Sequence, residues 1–162
     1  VSAVGLRAAK VLREKFGMPY VIGTPNQWMA EEISNALDKA VVRQPEQPAV
    51  YLQNRMQQEA DITLVGEPVT MGSLAAGIEK RYGRAARVLC PLKECADLLG
   101  EKDKMVLGEE AMEEALKSAG IIVADPLYRP ICPESATFYE MPHIAFSGRI
   151  YLKNLYNFRK TT

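Results

Sequence analysis

A chain of 162 residues and 18.0 kDa suits one domain, or one domain with a lead-in segment. Lys and Arg total 20 and Asp and Glu total 20, so the formal charge cancels; with a pI near 6.8 the chain lacks the basic footprint of a nucleic-acid surface. Hydrophobic residues at 48% and charged residues at 25% exclude wholesale disorder, and apolar runs such as Ile121 to Ala124 are too short to span a bilayer, so neither nucleic acid nor a membrane is an expected partner.

The first residue is Val1, and the opening residues up to Lys10 already read as helix, with no charged segment ahead of an apolar one. The expectation is a piece of a longer polypeptide without a secretory leader. Three cysteines, Cys90, Cys95 and Cys132, cannot all pair internally, which points to a reducing, cytoplasmic setting.

Val4, Ala8, Val11, Leu12 and Phe16 recur at helical spacing, and Gly17 and Pro19 end that helix. Met18 to Ile22 reads as a strand and Gly23 to Pro25 as a loop. Asn26 is placed to cap a helix through Met29, Ile33 and Leu37. The stretch Gln44 to Pro48 is a break, after which residues 49–59 read as helix.

From there the pattern turns regular. Strands are expected at Ile62–Val65, Arg87–Leu89, Lys104–Leu107, Ile121–Ala124 and His143–Phe146. Helices are expected at Thr70–Tyr82, Pro91–Leu99, Glu109–Ala119, Glu134–Tyr139 and Arg149–Arg159. Short, wholly apolar strands alternating with helices indicate strands buried on both faces of a parallel sheet. The expected fold is α/β: Rossmann-like, doubly wound, a mainly parallel sheet with helices on both faces. Residues 61–162 would form it, and residues 1–60 would be a helical lead-in with one strand, belonging to a preceding domain.

In open parallel sheets the site lies beyond the carboxyl ends of the strands. That rule selects Thr24, Gly66, Glu67, Cys90, Gly108, Asp125, Ser147 and Gly148. Gly66-Glu67-Pro68 is a strand-to-helix turn where backbone can approach a ligand and helix amides can meet an anion. The plainer reading is a tight connection whose Glu faces solvent, and neither the dinucleotide fingerprint nor the phosphate loop is present. Asp125 and Arg129 follow a strand and can orient a ligand or brace each other. Cys90 and Cys132 on one edge would supply half of an iron–sulfur site; otherwise they are a buried hydrophobe and a loop residue. Cys90 and Cys95, on a short helix, need not converge. His143, the only histidine, falls at the amino end of its expected strand, away from that edge. Trp28, Met29 and Met71 lie on helical apolar faces and are expected in the core.

Taken in order, several segments resemble nitrogenase component 1-type oxidoreductases. Lys15-Phe16-Gly17-Met18-Pro19-Tyr20 is similar to the family's Lys/Arg-Tyr/Phe-Gly-Ile-Pro segment. Ile62 to Val65 with Gly66-Glu67-Pro68 is similar to its strand ending in Gly-Asp-Pro. The strand Val88-Leu89-Cys90 follows a helix ended by Gly83, and Ala119 to Asp125 takes the place of Pro-Asp-hydrophobic-hydrophobic-Gly. Met141-Pro142-His143-Ile144-Ala145-Phe146 looks like the Ile/Val-Pro-hydrophobic strand near the family's C-terminus.

The resemblance implies the C-terminal one of three similar α/β domains, with the segment leading into it. The whole protein would be a reductase subunit or a cofactor-assembly scaffold. An iron–sulfur cluster is implied in the full-length complex and none in the fragment. The implied partners are a paired homologous subunit and an ATP-dependent iron protein. In the catalytic nitrogenase subunit a cysteine ahead of the first helix and a histidine after the last strand hold the iron–molybdenum cofactor. Those positions fall on or just before Val1 and on Ser147 here, so that cofactor is not expected. Gly66, Glu67, Asp125, Ser147 and Gly148 would line one wall of a metal-cluster or substrate cavity. A non-redox small-molecule-binding or subunit-interface α/β module is the alternative.

Overall fold

The structure, a computed structural model, describes residues 2–43, 49–93, 95–143 and 146–151. Five strands form one sheet: β1 (Ile62–Val65), β2 (Ala86–Cys90), β3 (Lys104–Met105), β4 (Ile121–Ala124) and β5 (Thr137–Glu140). Every pairing is parallel and the spatial order is β3-β2-β1-β4-β5. This is the doubly wound arrangement. The chain moves outward from β1 in one direction, then returns to lay β4 on its other side, so the order reverses between β1 and β4. All four residues of β1 are buried, as the unbroken run Ile-Thr-Leu-Val demands of a central strand.

Two helices clasp the sheet. α3 (Pro68–Tyr82) turns Met71, Leu74, Ala75 and Ile78 onto Ile62, Leu64, Ala86 and Val88. On the other face, α4 (Glu109–Leu116) turns Met112 and Leu116 onto Val65, Leu89 and Ile122. A 3-10 segment, Pro126–Ile131, covers that same face beyond β4, adding Tyr128 and Ile131.

The lead-in makes a third layer. α1 (Ala3–Phe16) and α2 (Ala30–Arg43) pack with a 3-10 turn, Val50–Asn54, on the back of α3. Consequently α3 is buried from Pro68 to Glu79 except at Thr70. The small residues Gly72, Ser73, Ala75, Ala76 and Gly77 let it sit between two layers. Asn26 ties the layers together: its Oδ1 accepts from the Trp28 and Met29 amides, capping the start of the α2 region, while its Nδ2 donates to the Ser73 carbonyl at 3.0 Å. The loop residue Thr24 donates its amide to Ser73 Oγ.

A buried ionic cluster makes a further tie. The Arg55 guanidinium reaches Asp103 (3.1 Å) and Glu79 (3.3 Å), and the side chains of the three are 6%, 1% and 1% exposed. Arg55 also donates to the Ala86 carbonyl. Glu79 in turn accepts from the Met56 and Ala86 amides, and Asp103 from those of Val88 and Gly100. Each charge therefore has a partner and hydrogen bonds, which a buried ion needs.

Several local expectations change. Met18 to Ile22 contributes only one parallel bridge, Ile22 to Ala49, because the lead-in never reaches the sheet. The helix expected over 49–59 is a single 3-10 turn, and that over 91–99 is the 3-10 turn Ala96–Leu98. The helix expected at Glu134–Tyr139 is the edge strand β5, whose Thr, Phe and Tyr favour extended backbone once β4 offers a free side. His143 and Phe146 are not in a strand; Ile144 and Ala145 lie outside the described residues. α5 (Gly148–Tyr151) opens the last expected helix, and the rest of it lies outside the described residues, as does the break at 44–48. Among the described residues no helix is long and apolar enough to cross a membrane.

Candidate functional site

The reversal between β1 and β4 makes a crevice at their carboxyl ends, and the residues after those strands meet there. Val65, Gly66, Glu67, Thr70, Asp125, Tyr128, Met141, His143 and Phe146 line it. Its free volume is about 10 Å³, about what one water molecule needs. Gly66 has φ 155°, a conformation L side chains avoid, and a Cβ there would lie 2.6 Å from Met71 Cε. The close approach that a glycine allows is thus used by the protein's own methionine.

Glu67 is turned back on its own chain. Its Oε2 accepts from the Thr70 amide (2.7 Å) and Oε1 from the Val69 amide (3.2 Å), so it caps α3. Oε1 also accepts from the Ala3 amide at 2.9 Å, the first residue of α1. One carboxylate thereby serves two helix N-termini, where negative charge is favoured. An external anion at this turn would have to displace it.

Asp125 has a similar role. Oδ1 accepts from the Leu127 amide (3.0 Å), capping the 3-10 segment. Oδ2 accepts from the His143 amide (2.8 Å), the Ser147 hydroxyl (2.7 Å) and the Ser147 amide (3.4 Å). Burial alone would raise its pKa, but those donors outweigh it and hold the carboxyl below the ordinary range. Since the folded value is depressed, the linked stability is present above the unfolded carboxyl pKa of about 3.9 and is lost as pH falls through the folded value. Asp125→Asn should therefore be less stable than the native chain at pH 7, with the gap narrowing toward pH 3. Urea denaturation at the two pH values checks this; an equal gap at both would mean that the charge contributes nothing.

This places the site residues selected from sequence. Gly66, Glu67, Asp125, Ser147 and Gly148 do come together at one edge, with Ser147 and Gly148 buried. Thr24 lies against α3, its amide donating to Ser73 Oγ and its Oγ1 3.5 Å from Oγ1 of Thr70, which lines the crevice. Arg129 does not pair with Asp125 among the described contacts; its guanidinium sits 5.3 Å from the Phe138 ring centre. His143 arrives at the carboxyl edge, not the amino end of a strand, because β5 ends three residues before it. Its ring meets Phe146 edge-on at 5.6 Å. Met29 and Met71 are core residues, whereas Trp28 is half-buried.

The cysteines separate by face. Alternation along β2 puts Val88 toward α3 and Leu89 toward α4, so Cys90 lies on the α3 side, while Cys132 packs on the α4 side. Cys90 and Cys95 converge instead: both are buried and both direct Sγ at the Leu92 carbonyl, at 3.8 and 3.1 Å. Burial, with Cys95 adjacent, pushes the Cys90 thiol up to about 12, so it is held protonated. Among the described residues no three His, Cys, Asp or Glu side chains converge as a metal site.

A larger concavity opens beside the crevice, shares Tyr128 and Phe146 with it, and was not anticipated from sequence. It has about 390 Å³ of free volume, and Pro91, Val106, Met112 and Leu127 supply much of its lining. Gly108 and Glu109, at the start of α4, also line it. The signal for it is the proline-rich Asp125–Pro133 stretch, whose tight turns swing apolar side chains over the sheet edge. Compared with known proteins, the chain matches no protein family, no curated protein and no solved structure.

Proposed function

We propose that the chain is the C-terminal domain of a nitrogenase-like component 1 protein, a reductase subunit or cofactor-assembly scaffold, and that it supplies one wall of a metal-cluster or substrate cavity. The ordered motifs from Lys15 to Phe146 support the family reading, and the doubly wound sheet agrees with it. One observation carries the idea of a wall. Glu67, Asp125 and Ser147 all spend their polar atoms on the protein's own backbone or on each other, and what faces outward beside them is the apolar concavity around Tyr128, Leu127 and Phe146. Such an edge shapes and dries a cavity; it does not itself move protons. In this reading the cluster ligands, the paired subunit and the ATP-dependent iron protein belong to the rest of the assembly.

A subunit-interface module is the second reading. It is favoured by the apolar side chains that α1 and α2 leave in solvent, among them Val4 (88% exposed), Phe16 (72%) and Val42 (80%). Iron and acid-labile sulfide, assayed without oxygen on the full-length protein and on this chain, separate the two. Iron in the full-length protein alone is the expected result. Iron in neither would sink the redox reading, and iron in this chain would move the ligands onto its own cysteines.

A further inference from the structure

We propose that the concavity beside the crevice binds a small amine, a flat apolar ring system carrying one cationic nitrogen. This rests on the reading of the carboxyl edge as one wall of a cavity, and not on the presence of iron. At about 390 Å³ the space is of the size that small organic ligands occupy. It adjoins the point where the strand order reverses between β1 and β4, which is where doubly wound sheets take their ligands.

The lining suits a flat apolar body. The Tyr128 and Phe146 rings lie 6.4 Å apart at a tilt of 57°, and Pro91 and Pro130 add two more rings to the wall. Met112 is buried behind them, whereas Leu127 and Phe146 are 56% and 42% exposed. Covering those two with another ring removes apolar surface from water.

The sign of the charge selects the head group. Among the described residues lining the concavity and the crevice, the charged side chains are Glu67, Asp125 and Glu109, with no Lys or Arg. His143 lines the crevice alone, and Arg129 sits over the Phe138 ring. Glu67 is offset by the two helix N-termini it caps, so Asp125 and Glu109 set the sign. Asp125 is satisfied by amides and a hydroxyl, which do not cancel its charge. Tyr128 lines both spaces, and its phenol is pushed up by burial first and then by the Asp125 carboxylate. A field that opposes a phenolate favours a cation, and the two rings offer faces to an ammonium. An anion gains little at the start of α4, where Glu109 and Glu110 already occupy the first turn.

Three probes with one ring system test this: tryptamine (cationic), methylindole (neutral) and indoleacetate (anionic). Titrated into the chain labelled at its methionine methyls, tryptamine should shift the Met112 resonance saturably. At low salt it should bind about fivefold more tightly than indoleacetate, with methylindole between them. Added salt should shrink that spread. Leu127→Ala should weaken all three probes alike, by about threefold. Glu109→Gln should lower the preference for tryptamine about twofold and leave methylindole unchanged. Tyr82→Ser, in a separate groove lined by Trp28, Ile78 and Val123, should change nothing. Indoleacetate binding as tightly as tryptamine would overturn the proposal, and so would tryptamine binding that is lost with Tyr82 and kept without Leu127. Tryptamine bound here with no iron in the full-length protein would support this site while sinking the redox reading. Iron there with no tryptamine bound here would overturn this site and keep that reading.

Discussion

Arg55→Ala is expected to cost about 3–5 kcal/mol of folding stability, the largest loss of any single change outside the hydrophobic core. The side chain holds two carboxylates that are 1% exposed, and removing it leaves Glu79 and Asp103 buried without their main counter-charge. Lys102 also reaches Glu79, at 3.2 Å, but it is 18% exposed and does not reach Asp103 among the described contacts. Lys102→Ala should therefore cost only about 1 kcal/mol, nearer the range of a surface pair. Arg55→Lys keeps the charge and loses the planar fork that spans both carboxylates and the Ala86 carbonyl, so it should fall between the two. Urea midpoints for the three variants give the order directly. A loss below about 1 kcal/mol for Arg55→Ala would show that the carboxylates find other partners or water. Since the cluster joins the segment after α2 to α3, β2 and the loop before β3, the same variant should also loosen the lead-in's hold on the domain.

Gly72→Ala is expected to destabilise although it improves helix propensity. In an exposed helix that exchange gains up to about 1 kcal/mol. Here the new Cβ would lie 2.5 Å from two ring carbons of Tyr51, and no Tyr51 surface is exposed. The ring cannot swing aside without giving up its hydroxyl bond to the Leu98 carbonyl, 2.9 Å away. Overpacking of this kind costs about 1–3 kcal/mol, which outweighs the propensity gain. Tyr51→Leu alone should also lose stability, through a cavity and an abandoned carbonyl. Combined with Gly72→Ala, the loss should be less than the sum of the two, because the smaller side chain makes room for the methyl. Additive losses would mean that the layers slide apart to accept the methyl without involving Tyr51.

Both expectations concern the contact between the lead-in and α3, which the sequence discloses only in part. The face of α3 that meets the sheet is legible as Met71, Leu74, Ala75 and Ile78 at helical spacing, and those residues do pack there. The other face is written in small residues, Gly72, Ala76 and Gly77, which carry little hydrophobic signal. Their meaning appears only when Tyr51 and Trp28 are seen against them. Arg55, Glu79 and Asp103 are far apart in the chain, and no local pattern distinguishes a buried charge from a solvated one.

The sequence by itself determined the α/β class and the central strands. β1 and β4 are short, mostly apolar runs bounded by turn residues; β1 is buried throughout, as a central parallel strand is, while β4 alternates half-buried and buried residues. It also determined which residues follow those strands, and so which of them gather at the carboxyl edge. The tertiary structure alone decided β5 and everything whose position depends on it. A short segment of Thr, Phe, Tyr and Glu is ambiguous until β4 presents unpaired backbone groups beside it. With the last strand at Thr137–Glu140 and not 143–146, His143 reaches the site edge and Asp125 Oδ2 gains the His143 and Ser147 amides. The same holds for the roles of Glu67 and Asp125. A carboxylate after a strand can face a ligand or cap a helix, and only the amides placed within reach by the fold select the second.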